Sequence, residues 1–360
     1  MAVEPSCLEQ CAKSPLAVFC GAGSSAFLGI PLMHELTERI KDRIDEDLFH
    51  SICNDTNNAD IEVVINYIEN LLKNIMRTGK NKYLANLLQT NSSLAEKAVY
   101  TLNQIVEDIK HNIYEIINDV DIDSQQNKLI GAFNGLLYPV VNLIAGNNLN
   151  FLPVITTNYD LVLERIDSCE FFGRVIDGMY YDDRVHVRDT KWIGHENVAD
   201  YTMERLNIGL FKLHGSINWY YNKESKEIIS SPHISRINTI KYERLIIPPS
   251  IEKTGECEKH ELYKNMFNNA KKAIYSAKII LAIGYSFRDP RINFLFRDAL
   301  GDERKKLIII DPAPADVIQR LRSFMGGRIA KRIFSVDKHF NEKGIKLYDK
   351  VIDTIAKVMD

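Results

Sequence analysis

Five short stretches of this 360-residue chain hold residue types that could act on a ligand. Gly21-Ala22-Gly23-Ser24-Ser25 follows the apolar run 16–19 and precedes Gly29-Ile30-Pro31. Glycines directly after a strand let another group come close to the backbone, and N–H groups at a helix start can meet a diphosphate. Gly29 lies six positions after Gly23, where a redox dinucleotide fingerprint wants three, and no Gly-Lys-Ser/Thr follows. A tight strand–helix turn and a nucleotide site both fit. Thr156-Thr157-Asn158-Tyr159-Asp160 offers an amide and a carboxylate that could orient a sugar, an amide or a water; the same side chains could cap a helix. His214, before Gly215-Ser216, could be a general base or a hydrogen-bonded structural residue. Gly284-Tyr285-Ser286 and Asp311 are turn residues when taken singly and nucleotide contacts when taken with the rest.

These residues have one placement in common: each follows an apolar run. Strands are expected at 16–20, 151–160, 208–216, 244–250, 277–287 and 305–314, with helices near 160–166, 259–276, 290–300, 315–324 and 337–359. Pro290 after Asp289 has the form of a first helical residue behind its N-cap. Such alternation predicts an α/β fold with a Rossmann-like, mostly parallel sheet. In a sheet of that kind, ligands bind at the carboxyl ends of the strands.

A helix is expected from Ser24 to Ile44, with Leu32, Leu36, Ile40 and Ile44 on one face. From about 59 to 146 the apolar spacing is helical almost throughout. Residues 32–150 therefore read as a large inserted helical subdomain within a core made of 1–31 and 151–360. Residues 168–207 show no regular pattern.

The bulk numbers exclude several classes. The net charge of −3 leaves no electrostatic footprint for nucleic acid, so no direct nucleic-acid binding is expected. No apolar run matches a membrane span, and the N-terminal stretch lacks a basic signal-peptide region, so no membrane association is expected. The six cysteines include no C-x-x-C pair, so neither a zinc module nor any other metal site is expected. Scattered cysteines fit a reducing cytoplasm.

Taken in order, GAG-x-S, G-I-P, T-x-N-x-D, H-G, G-x-S and an apolar strand ending in Asp311 resemble the sirtuin NAD-binding core. The resemblance spans roughly 16–31 and 151–325 and omits the helical block. Protein-deacylating sirtuins follow G-I-P with an acidic–aromatic–Arg triplet and carry a four-cysteine zinc module. This chain has Leu32-Met33-His34 and no such module. Its "TTNYDLVLE", "KLHGSINW" and "GYSFRDPRINFLF" look like the bacterial antiphage-defence branch of sirtuin-like proteins, which hydrolyse NAD.

That resemblance implies NAD as substrate, cleaved to ADP-ribose and nicotinamide in the bacterial cytoplasm. Asn158 would bind the nicotinamide ribose and orient water, and His214 would be the base. Asp160 would hold the carboxamide. Ala22, Gly23 and Ser25 would meet the diphosphate and the nicotinamide ribose. Gly284 and Ser286 would line the phosphate and adenosine side. Asp311 would accept the adenine-ribose hydroxyls, favouring NAD over NADP. A homo-oligomer, and a HerA-type ATPase or another defence partner, are the implied assemblies. The competing readings are a deacylase, a hydride-transfer dehydrogenase and a catalytically silent NAD-binding module. The missing triplet and zinc module argue against the first, the missing G-x-G-x-x-G against the second, and Asn158 with His214 against the third.

Overall fold

The protein is described by a computed structural model. It describes all residues except 1–5, 45, 57–59, 81–91, 147–148, 169–170, 181–189, 199–204, 232–240, 247–259, 326–328, 330, 341–344 and 360. Two compact units form, one from residues 1–30, 121–247 and 251–360 and the other from residues 31–120.

The first unit is built on a seven-stranded sheet of β1 (Leu16–Cys20), β2 (Phe151–Thr156), β3 (Phe172–Ile176), β6 (Leu206–Lys212), β10 (Ile279–Ile283), β11 (Lys306–Asp311) and β12 (Ile333–Asp337). The spatial order is β12-β11-β10-β1-β2-β6-β3, and every pairing is parallel. β1, β2, β6 and β10 are buried along their whole length, as strands covered on both faces must be. Burying each such Leu, Ile or Phe contributes about 1.5–3 kcal/mol. The order reverses at β1: later strands add outward through β2 on one side and through β10 on the other. The switch point is thus the β1–β10 seam, where Cys20 is level with Ile283.

A second, antiparallel sheet joins β4 (Met179–Tyr180), β5 (Thr190–Trp192), β7 (Gly215–Asn222), β8 (Ile228–Ser230) and β9 (Tyr242–Ile246) in the order β4-β5-β8-β7-β9. Three sequence expectations change here. The apolar run 208–216 is two strands in two sheets, parted at Leu213-His214. The strand expected at 244–250 belongs to the antiparallel sheet. Residues 168–207, patternless in sequence, contribute β3, β4 and β5, because strands of two to five residues need no long apolar run.

In chain order the α-helices are α1 (Cys7–Cys11), α2 (Met33–Lys41), α3 (Glu46–Thr56), α4 (Ile61–Lys80), α5 (Ser92–Asn118), α6 (Gln126–Ala145), α7 (Glu261–Ser276), α8 (Pro290–Ala299), α9 (Pro314–Met325) and α10 (Ile345–Met359). The helix expected from Ser24 starts only at Met33. Before it the chain makes two single 3₁₀ turns, Ala22–Ser24 and Ala26–Leu28, the second ended by Gly29 at φ 91°.

In the 31–120 unit, α4 buries Ile61, Val64, Ile65, Ile68 and Leu72, and α5 buries Val106, Ile109, Ile113, Ile116 and Ile117. Thr37 Oγ1 accepts a hydrogen bond from Ile61 N at 3.1 Å and fixes the start of α4. α6, which the sequence boundary at 150 gives to the insertion, falls in the sheet unit. It buries Leu129, Phe133, Leu136, Leu137, Val140 and Val141, with Phe133 edge-on to Phe340 at 4.7 Å. Residues 99–145 are long and apolar enough by composition to cross a membrane, which the sequence reading did not expect. In the fold this stretch is two helices parted near 119–125, and the apolar face of α6 is core.

Candidate active site

Because the main sheet is parallel, its carboxyl ends lie along one rim. Cys20, Thr156, Lys212, Ile283 and Asp311 end their strands there. The residues singled out from sequence stand on or just beyond that rim.

At the end of β2, Thr156 Oγ1 donates to Cys20 O at 2.9 Å and accepts from Asn158 N at 3.0 Å. This locks the departing backbone and aims Asn158 at β1. Asn158 Nδ2 donates to Gly21 O at 3.0 Å and to Ser25 Oγ at 3.1 Å. Asp160 is buried beside them; its carboxyl group receives hydrogen bonds from Ser25 and Asn158 and, at 2.9 Å, from Val162 N. Burial pushes the Asp160 pKa up, opposed first by the nearby Lys212 ammonium and then by these hydrogen bonds. Ser25, Asn158 and Asp160 therefore form one connected, buried polar group.

One strand further, residues 213–217 run beside 156–159: Leu213 N donates to Thr156 O at 2.8 Å, and Ile217 N to Tyr159 O at 3.0 Å. His214 is buried in this link, its ring 6.4 Å from that of Tyr159. Its Nε2 lies 3.1 Å from Asp289 Oδ2. A carboxylate accepts, so the contact assigns the proton to Nε2 and makes Nδ1 the basic nitrogen. The other oxygen of Asp289 caps α8, accepting from Arg291 N at 2.8 Å and Ile292 N at 3.3 Å, with Pro290 at the first helical position as the sequence predicts. One carboxylate thus anchors both a helix and an imidazole.

The glycines meet each other. Gly21 N donates to Ile283 O at 2.9 Å and Gly23 N to Gly284 O at 3.0 Å. A Cβ on Gly21 would sit 2.5 Å from Gly284 O, and one on Gly284 would sit 2.6 Å from Gly23 Cα. The close approach signalled by the sequence is therefore, in this structure, backbone on backbone across the β1–β10 seam. Ser24 N and Ser25 N are also bonded within the turn, to Gly21 O and Ala22 O. The expectation that a helix start aims its N–H groups outward here is corrected: the turn is 3₁₀ and closes on itself. Ala22 and Gly23 remain partly exposed on the rim.

Ser286 and Asp311 complete the rim on the other side of the seam. Ser286 is exposed, and its carbonyl accepts a hydrogen bond from Arg320. Asp311 Oδ1 accepts from Ala313 N at 2.8 Å. Its pKa is pushed up by burial against that hydrogen bond and the pull of His339 and Arg320. Arg320 thus bonds to the backbone at Ser286 and acts on Asp311 through its charge. Asp311 stands two strands from β1, and Asp337, level with it on β12, ends the next strand.

Sequence reasoning missed three residues. Asp289 looked like a cap and nothing more. The buried Lys212 and the half-buried Glu164 form an ion pair at 2.6 Å; the signal was a lysine ending a strand otherwise free of charge. Among the described residues no cluster of three or more His, Cys, Asp or Glu could hold a metal ion. Cys20, at the end of β1, has its thiol pushed up to about 12 by burial and stays protonated.

Residues 153–330 match a protein family described as the SIR2-like domain. That span holds Asn158, Asp160, His214, Gly284, Ser286, Asp289 and Asp311. No curated protein matches the chain. Similar solved structures include a Sir2 homologue in complex with NAD, at 14% identity and TM-score 0.42, covering 98% of this chain and 94% of that one. Another is Sir2 with the inhibitor EX-527, 2′-O-acetyl-ADP-ribose and a deacetylated p53 peptide, at 11% identity and TM-score 0.38, covering 97% of each chain. A third, from work on the mechanism and regulation of Sir2 enzymes, shares 13% identity at TM-score 0.37, covering 98% of this chain and 96% of that one.

Proposed function

We propose that this chain hydrolyses NAD, cleaving the bond between nicotinamide and ribose to give ADP-ribose and nicotinamide. The observation that carries the reading is the pairing of two preorganised groups on adjacent strand ends: Asn158 tied to Gly21 O, Ser25 and Asp160, and His214 oriented by Asp289. The match of residues 153–330 to the SIR2-like domain supports NAD as the substrate class.

Breaking this bond builds positive charge on the ribose, in an oxocarbenium-like state akin to that of glycoside cleavage. Nicotinamide leaves neutral, so strong acid catalysis is not required. The site must hold the ribose, hold the carboxamide and deliver water. Asn158 would bind the nicotinamide ribose and orient the water. Asp160 would hold the carboxamide. His214, with its basic Nδ1, would accept a proton from water or from a ribose hydroxyl; a positioned base contributes about 10²–10⁴ in rate. Asp311 would accept the adenine-ribose hydroxyls and disfavour a ribose phosphate. Hydrolysis is favoured over deacylation by Leu32-Met33-His34 after Gly29-Ile30-Pro31 and by the lack of any C-x-x-C pair. We place the consequence, depletion of cellular NAD during phage infection, and control by self-assembly or by a HerA-type ATPase within the same proposal.

The test is product analysis with the purified chain, alone and with its co-expressed neighbouring gene products. Release of ADP-ribose and nicotinamide is expected, and it should fall to background in Asn158→Ala and His214→Ala proteins that remain folded by circular dichroism. Intact NAD under every condition, together with deacylation of an acyl-lysine peptide, would overturn the reading.

A further inference from the structure

Lys212 ends β6, a strand buried along its whole length, and its own side chain is only 1% exposed. A buried ammonium without partners is costly, so its contacts report what it is there to hold. Its Nζ donates to the backbone carbonyl of Asp160 and, at 2.6 Å, to Glu164 Oε1. Asp160 is thus gripped at both ends. Its carboxyl group is held by Val162 N, Ser25 and Asn158, and its carbonyl by Lys212.

The same ammonium acts on three carboxyl groups, that of the buried Asp160 and those of the half-buried Glu164 and Asp177. Burial favours the neutral form of each, and Lys212 opposes this at all three. From the β1 side Asp160 meets Cys20, a protonated thiol that adds no charge. Glu164 Oε2 is buried with no hydrogen-bond partner among the described residues, and there the carboxylate leans on Lys212 through Oε1.

We infer that Lys212 is a positioning residue: it fastens the 157–162 loop through Asp160 O and so holds the Asp160 side chain in place for substrate. The inference rests on the NAD reading, since it assigns Lys212 a role through a residue of that site. An ion pair serving stability alone would predict something different. Replacing Lys212 and Glu164 together would then restore a neutral, functional protein, because removing both charges leaves neither stranded.

The experiment compares wild type, Lys212→Met and the double variant Lys212→Met/Glu164→Gln. Three quantities are measured: NAD affinity by calorimetry, the pH profile of kcat/KM, and amide exchange over 157–166 in the free protein. The double variant keeps the protein foldable should the single one fail to fold. Both variants should exchange faster over 157–166 and bind NAD at least tenfold more weakly, and Lys212→Met, which removes the cation alone, should have the acid limb of kcat/KM moved to higher pH. The sign follows from Asp160: without the cation its proton is held more tightly, so more alkaline solution is needed to ionise it. A folded double variant with wild-type affinity and wild-type exchange over 157–166 would overturn the inference. Wild type that neither binds nor cleaves NAD would overturn the functional reading instead. Amide exchange would then decide Lys212 alone, with unchanged rates over 157–166 counting against it.

Discussion

At the residue scale, the candidate site consists of side chains with two attachments each. Asn158 bonds both Gly21 O and Ser25, and Asp289 holds both an imidazole and a helix start. Two-point attachment removes rotamer freedom before a ligand arrives, the preorganisation that catalysis needs. The double duty of Asp289 can be separated by substitution. Asp289→Asn keeps an acceptor for the α8 cap but removes the charge facing His214. It should leave stability within about 1 kcal/mol of wild type while lowering kcat tenfold or more. Asp289→Ala should lose the cap as well, costing about a further 1 kcal/mol in urea unfolding. Equal turnover in wild type and Asp289→Asn would show that the imidazole needs no orienting carboxylate.

At the scale of elements, the decisive feature is the two-residue link between the sheets. β6 ends at Lys212, β7 begins at Gly215, and His214 sits in between. Gly215 has φ 82°, and a Cβ there would lie 1.9 Å from Leu245 O on β9. The backbone therefore cannot turn from one sheet to the other with any larger residue. Gly215→Ala combines a left-handed φ with a clash against backbone. It should cost at least about 1–3 kcal/mol of stability and remove turnover by displacing His214. A crystal structure of the variant with His214 still on Asp289 would contradict this. Gly284 plays the matching part across the β1–β10 seam. The loop that follows it carries Phe287 at φ 52°, buried and held through its carbonyl by Asn293 Nδ2 at 3.0 Å, two residues before Asp289.

At the scale of the whole molecule, the buried titratable groups set the response to acid. His195 is buried against β6, stacked on Phe211 with centroids 4.6 Å apart and bonded through Nε2 to Leu210 O at 2.8 Å. Burial lowers its pKa to about 4. The folded chain therefore binds fewer protons here than the unfolded chain, whose histidine titrates near 6.5. Stability from this group is full above about pH 6.5 and declines as pH falls toward 4, by up to about 3 kcal/mol. His195→Gln keeps a donor for Leu210 O and cannot charge. The difference between its urea-unfolding free energy and that of wild type should change by this amount between pH 7 and 4, and a constant difference would refute the assignment.

The sequence by itself determined the parallel α/β class, the strands β1, β2, β6, β10 and β11, and the rim residues from Gly21 to Asp311, because fully buried strands are short apolar runs and their ends are polar. It also determined the cap at Asp289, a local signal. Tertiary structure alone decided the break of 208–216 into two sheets, the assignment of α6 to the sheet unit, the partnership of His214 with Asp289 75 positions away, and the placement of Lys212 against Asp160 and Glu164. These are choices of neighbour rather than of local conformation. Period and propensity encode which face of an element is buried, whereas the partner on that face is set by packing and charge balance across the assembled sheet.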